Sequence, residues 1–512
     1  MGEYTSFLCS SCRRKGGLPF LTKSERSRYM QFNSYLCILA VVPAFVACYF
    51  LAARIRSSLT KAVVIAFGAG FCIYGGWESA MVLGISLLLN LLASFALAKT
   101  SRFRKPLLVL DLVLNVALLF YYKYFNFALT TVNGIWGTDY KTVSLILPLG
   151  ISFFTFQQIM YVVSVYRGDI EKVCVTDYLA YILYFPKLLM GPLIEPKDFI
   201  AQLNDPSLKK FRWDNLASGI KLFSFGLFKK IVLADTFARA VAWGFAGGDA
   251  ITAGDAIVVM LCYTFEIYFD FSGYSDMAVG VSRMVNITLP INFDSPYKAT
   301  SIRDFWKRWH ISLTSFLTKY VYIPLGGNKK GKVRTCINIM IVFLVSGLWH
   351  GAEWTFVLWG ALHGLLMVLD RVFSKPEYRQ RNAGAKWIGT MLAVSLLWLL
   401  FRSGTIEQYG ALLEKILCFK KMAVTKELLQ QFVLPETPFI FETLGLTGLD
   451  STVRGLSAVI FLIGSALICM VPENNYRNSG RLGIVNMVLC AAAFTWAFLC
   501  LSSESVFVYF NF

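Results

Sequence analysis

Long apolar runs dominate the chain. The clearest extend from Tyr35 to Ala53, Ala62 to Trp77, Ala80 to Ala98, Pro106 to Tyr122 and Ser144 to Tyr166, and more interrupted ones follow to the C-terminus. Each approaches the roughly 17–25 residues needed to cross a hydrocarbon core, and the whole pattern predicts about eleven transmembrane helices, in a range of about ten to thirteen. The fold class expected is an all-α polytopic membrane protein. Gly and Pro interrupt the runs at Pro148 with Gly150, at Pro186 with Gly191 and Pro192, and at Pro324 with Gly326 and Gly327. Broken backbone at membrane depth is tolerated only where protein or water satisfies the freed peptide groups, so these breaks predict re-entrant segments or a cavity. The stretch from Cys418 to Gly448 is the most polar long insertion and reads as an extramembrane loop with a short amphipathic helix.

Composition agrees with the pattern: of 512 residues 56% are hydrophobic and 16% charged, with a mean hydropathy of +0.57. A soluble domain could not cover that much apolar surface, so lipid is the solvent. The excess of 49 Lys and Arg over 31 Asp and Glu gives +18, which in a membrane chain points to cytoplasmic loops beside anionic lipid and not to nucleic acid. Arg54, Arg56 and Lys61 share one side with Lys99, Arg102, Arg104 and Lys105. If that side is cytoplasmic, the first helix begins outside. Residues 1–29 carry Arg13, Arg14, Lys15, Lys23, Arg26 and Arg28, which favour the cytoplasm. The conflict is resolved if translation starts at Met30; otherwise the stretch is a genuine basic tail. Most cysteines lie in apolar runs as small hydrophobes, and the single CxxC of Cys9 and Cys12 lacks a second ligand pair for zinc. No metal or bound cofactor is expected, and no internal repeat of the kind transporters show is visible.

Three histidines limit the chemistry to His310, His350 and His363. His350 lies in the apolar run NIMIVFLVSGLWHGAEWTFVLWG; on a helix, Ser346 and Gly347 lie one turn before it and Glu353 and Trp354 one turn after, on the same face. An imidazole at membrane depth is a functional candidate, able to take a hydroxyl proton near neutral pH; the alternative is a packed histidine bonded to a carbonyl. His310, in SIRDFWKRWHISLTSFL, shares a helical face with Trp306, while Arg303, Asp304, Lys307 and Arg308 supply charge. That segment suits either an interfacial anchor or the lip of a funnel, where Arg308 could attract donor phosphates. On one continuous helix His363 would sit roughly 140° around from His350 and about 20 Å away, so it reads as structural. Glu266, Asp270 and Asp276 need partners, with Arg283 or Arg303 as candidates, in either a structural network or a substrate wall. Phosphate loops, HExxH and GxSxG motifs are absent.

The segments LPLGISFFTFQQIMYVV, YFPKLLMGPLI, GLFKKIVLAD, YFDFSGYSDMAVG, NFDSPYKATSIRDFWKRWHISLTSFLTKYVYIPLGG and GLWHGAEWTFVLWGALHG resemble the membrane-bound O-acyltransferases, in particular the branch of bacterial alginate O-acetylation membrane proteins. The resemblance spans roughly Met30 to Phe512, as a single membrane domain with a catalytic core at about 145–372 and C-terminal helices at 385–512. It implies a ring of transmembrane helices around a central tunnel, catalysis by His350 with His310 as a second essential histidine, and a cytosolic thioester donor, acetyl-CoA. It further implies an SGNH-type extracytoplasmic partner, O-acetylation of a polysaccharide, and residence in the bacterial cytoplasmic membrane. Trp306, Trp309, Asp304, Arg308, Trp349, Tyr274 and Glu353 are the accompanying candidates for substrate or donor contact. Ser164 stands where the family often has Asp. Two other functions compete: D-alanyl transfer to teichoic acids from a carrier-protein thioester, and a transporter or flippase without chemistry.

Overall fold

A computed structural model describes residues 32–373, 382–433, 443 and 450–501. The basic segment 1–29, with its CxxC, most of the polar insertion beyond 433, and the C-terminal YFNF lie outside them. Among the described residues every regular element is helical.

Among the described residues, eight helices are long and apolar enough to cross a membrane: Cys37–Ile55, Trp77–Lys99, Arg104–Trp136, Ala253–Met284, Gly331–His350, Trp354–Phe373, Ala383–Arg402 and Val453–Met470. Leu59–Tyr74 and Ile484–Leu499 are shorter apolar helices. The helix Ile151–Arg167 has side chains buried on every face, so protein surrounds it. The run expected to end at Tyr122 continues to Trp136 through a wide π-type turn at Phe120–Tyr124. Similar turns at Lys229–Ala234 and Thr318–Tyr322 also carry lysines; such turns re-aim side chains and concentrate at functional positions.

Ala253–Met284 is the central strut. Thr252 and Asp255 start it with a reciprocal capping box, the Thr252 hydroxyl accepting from Asp255 N–H and the Asp255 carboxylate from Thr252 N–H. Trp213–Phe228, Asp235–Ala246 and Ala383–Arg402 pack against it. A Cβ placed on Gly226 would sit 2.6 Å from the Gly273 carbonyl, so small residues set the approach of two of these helices. Two acidic groups of the strut find lysines. Lys230 Nζ lies 2.7 Å from Asp270 and 2.8 Å from Asp235, and Lys229 lies 2.7 Å from Asp276. The arginines expected as partners are engaged elsewhere, Arg283 with the Ser479 hydroxyl and Arg303 with Asp370. Both arginines stand at or beyond the strut's end, whereas the lysines come from a helix beside its middle. The broken segment after Phe185–Leu188 is irregular and buried, as its Gly and Pro predicted.

Candidate active site

The chain turns where continuous helices were expected. Gly331–His350 ends at the histidine itself, Gly351 is extended, and Trp354–Phe373 folds back against it. Close approach is required at Gly347 and Gly360, whose Cα atoms face each other: a Cβ on Gly347 would lie 2.3 Å from the Phe356 carbonyl. Glu353 and Trp354 are therefore not one turn further along the His350 face. Trp354 is exposed, and Glu353 sits in the turn with its carboxyl raised above the usual range by burial. The fold-back also corrects the expected separation of His350 and His363, since Trp359 touches both, with ring centroids 5.3 and 4.7 Å away.

The second break falls at Trp309 and His310. Ile302–Arg308, capped by the Ser301 hydroxyl, gives way to extended Trp309, and His310 takes a left-handed conformation (φ 45°) before Ile311–Leu317 begins. A positive φ at a non-glycine residue is a strained position that surrounding structure must impose. Here Asn292 imposes it: its carbonyl accepts from Ile311 N–H and its side-chain oxygen from the Ser312 hydroxyl at 2.6 Å. His310 thereby leaves the Trp306 face and is only 1% exposed, which excludes the interfacial anchor.

These two turns bring His310 and His350 together, with ring centroids 6.5 Å apart. Trp349 stands beside both, 6.0 Å from His310 and 4.9 Å from His350. Phe271 closes over His310 at 4.7 Å and Phe401 over His350 at 5.2 Å. With exposures of 1% and 4% both histidines are almost enclosed by this aromatic wall. Neither ring nitrogen of His310 has a partner beyond its own backbone among the described residues, and the buried Trp349 Nε1 also has none. His363 is different, its Nδ1 accepting from Trp306 Nε1 at 3.3 Å.

The remaining candidates divide. Trp309 is stacked among Phe305, Tyr297 and Trp398 behind His310. Arg308 and Asp304 pair at 3.0 Å, each a third exposed, and Arg308 also donates to the Asp294 carbonyl. Tyr274 packs edge-on to Phe32. Lys123, Tyr124, Asn292 and Phe271, which contact the site or its supporting backbone, were not candidates from sequence. Lys123 carried a readable signal, a charge within an apolar stretch that in fact continues past Tyr122.

Residues 167–401 match the membrane-bound O-acyltransferase family. A peptidoglycan O-acetyltransferase of Helicobacter pylori is 32% identical over 94% of this chain and 97% of that protein. The chain belongs to the membrane-bound O-acyltransferase family. A probable alginate O-acetylase AlgI of Pseudomonas putida is 35% identical over 75% of this chain and 80% of that protein. A teichoic acid D-alanyltransferase of Streptococcus thermophilus is 31% identical over 48% of this chain and 60% of that protein. The protein is accordingly a multi-pass membrane O-acyltransferase.

Proposed function

We propose that this O-acyltransferase moves an acetyl group from cytosolic acetyl-CoA across the bacterial cytoplasmic membrane for O-acetylation of an envelope glycan, through an SGNH-type extracytoplasmic partner. The observation that carries the reading is the enclosed His310–His350 pair with both His310 nitrogens unmatched. A buried polar atom without a partner is costly, and a substrate atom supplies the missing one. The 6.5 Å ring separation is comparable to two hydrogen bonds end to end, about 5–6 Å.

In this reading His350 takes the proton of an acceptor hydroxyl as its oxygen adds to the thioester carbonyl. His310 and the Trp349 N–H donate to the carbonyl oxygen as it gains charge. The C–O bond forms, the C–S bond breaks, and the proton passes to the departing thiolate, giving an acetyl ester and free CoA. Phe271, Trp349 and Phe401 form the aromatic surroundings, while Arg308 with Asp304 and Glu353 meet the donor or acceptor at the edges. Acetyl transfer is favoured over D-alanyl transfer by the near-full-length likeness to an O-acetyltransferase, against about half the chain for the D-alanyltransferase. The same likeness favours peptidoglycan as the glycan.

The test is a deletion strain complemented with the wild-type or His350→Ala protein, with O-acetyl esters measured in purified peptidoglycan and in extracted polysaccharide. Acetyl esters should disappear from one fraction and return only with the wild type. D-alanyl esters that fall while acetyl esters stay constant would instead establish the teichoic acid reading.

A further inference from the structure

The backbone that ends in His350 is held by two neighbouring side chains of Arg104–Trp136. Lys123 Nζ donates to the carbonyls of Trp349 at 2.6 Å and His350 at 3.1 Å, and the Tyr124 hydroxyl donates to the Leu348 carbonyl at 2.7 Å. Consecutive residues of a regular helix point about 100° apart; here the wide turn at Phe120–Tyr124 lets both reach one helix end.

The last carbonyls of a helix have no N–H partners of their own, and lipid supplies none. A neutral amide or hydroxyl would satisfy them at lower desolvation cost than an ammonium. Among the described residues no carboxylate lies within ion-pair distance of Lys123. Its counter-charge is the negative end of the Gly331–His350 dipole. A costly cation has thus been placed on the two peptides that carry Trp349 and His350, the pair of rings facing His310.

We propose that Lys123 is a positioning residue for acyl transfer, its ammonium fixing the Trp349–His350 backbone and with it the angle at which the His350 imidazole meets the substrate. The inference rests on His350 being the reacting imidazole. Misplacement of a reacting group by about 1 Å can cost about a hundredfold in rate, so a clamp on the peptide that bears the ring acts on turnover more than on donor binding.

The experiment compares wild type, Lys123→Met, Lys123→Arg, Tyr124→Phe and His350→Ala, each as the full chain in membranes. CoA release from acetyl-CoA and glycan O-acetyl content are measured at matched protein levels. Lys123→Met should lower kcat by about tenfold to a hundredfold with KM for acetyl-CoA little changed; Lys123→Arg should restore most of the rate, and Tyr124→Phe should lose less than Lys123→Met. If Lys123→Met does not accumulate, Lys123→Ala, which removes the donor and leaves room for water, replaces it. Wild-type turnover in the uncharged variant, or a loss that Lys123→Arg fails to rescue, overturns the clamp. An active His350→Ala overturns the catalytic reading itself, whereas an active Lys123→Met beside an inactive His350→Ala overturns only this inference.

Discussion

Arg104–Trp136 and Ala253–Met284 are 33 and 32 residues long and both are apolar enough to span a bilayer, yet 17% of the apolar window is buried in the first and 78% in the second. Lipid solvates one helix and protein solvates the other. The buried strut can therefore hold Glu266, Asp270 and Asp276, because lysines lie within reach of two of them. The lipid-facing helix turns Asp111, Asn115, Lys123 and Tyr124 inward. Asp111 and Asn115 join Asn90, which bonds Gln158 and Ser86, and further along Lys123 and Tyr124 reach the His350 turn. Burial fraction and not hydropathy thus distinguishes scaffold from seal, and even a lipid-facing span sends two side chains to the His350 turn.

The largest expected break in that contrast is at the centre. His350→Ala should lower O-acetylation by about 10²–10⁴-fold, the usual worth of a positioned acid–base group, while the protein still accumulates in membranes; near-normal ester content would remove His350 from the reaction. Next is Asp270→Asn, which deprives the buried Lys230 of one of two carboxylates and should cost about 3–5 kcal/mol. Thermal unfolding of the detergent-solubilised protein checks it, and an unshifted Tm would mean that Asp235 suffices. Gly347→Ala should then force Gly331–His350 away from Trp354–Phe373, for about 1–3 kcal/mol and a fall in turnover from the displaced His350. A stable variant with full activity would show that the two helices tolerate separation. The smallest effect belongs to lipid-facing positions: Leu114→Val, at a side chain 48% exposed, should stay within about 0.5 kcal/mol. A larger change there would argue that this face is covered by protein.

The membrane class and the spans near the N-terminus were readable because they rest on a local fact, the length of an apolar run, and His310 and His350 stood out as candidates because an imidazole in lipid is costly. The family followed from motif strings such as RWHISL and GLWHG, and the near-full-length relative agrees with it. What misled was continuity. Nothing short-range marks Trp309–His310 as a helix break: the residue that imposes it, Asn292, through its bonds to Ile311 and Ser312, lies 18 positions upstream of His310 and acts through a loop. Likewise Gly351 could have continued the helix, and only the close approach of Gly347 and Gly360 shows that the chain reverses there.

Sequence by itself determined where this chain meets lipid and which side chains are too expensive there to be accidental, since both depend on the solvent each residue sees. Only the tertiary structure decided that His310 and His350 face each other, that Lys229 and Lys230 answer Asp276 and Asp270, and that Lys123 bonds the backbone of the His350 turn. Those pairings join residues from 40 to more than 200 positions apart, and they are set by how helices pack, which no local pattern of apolar and polar residues encodes.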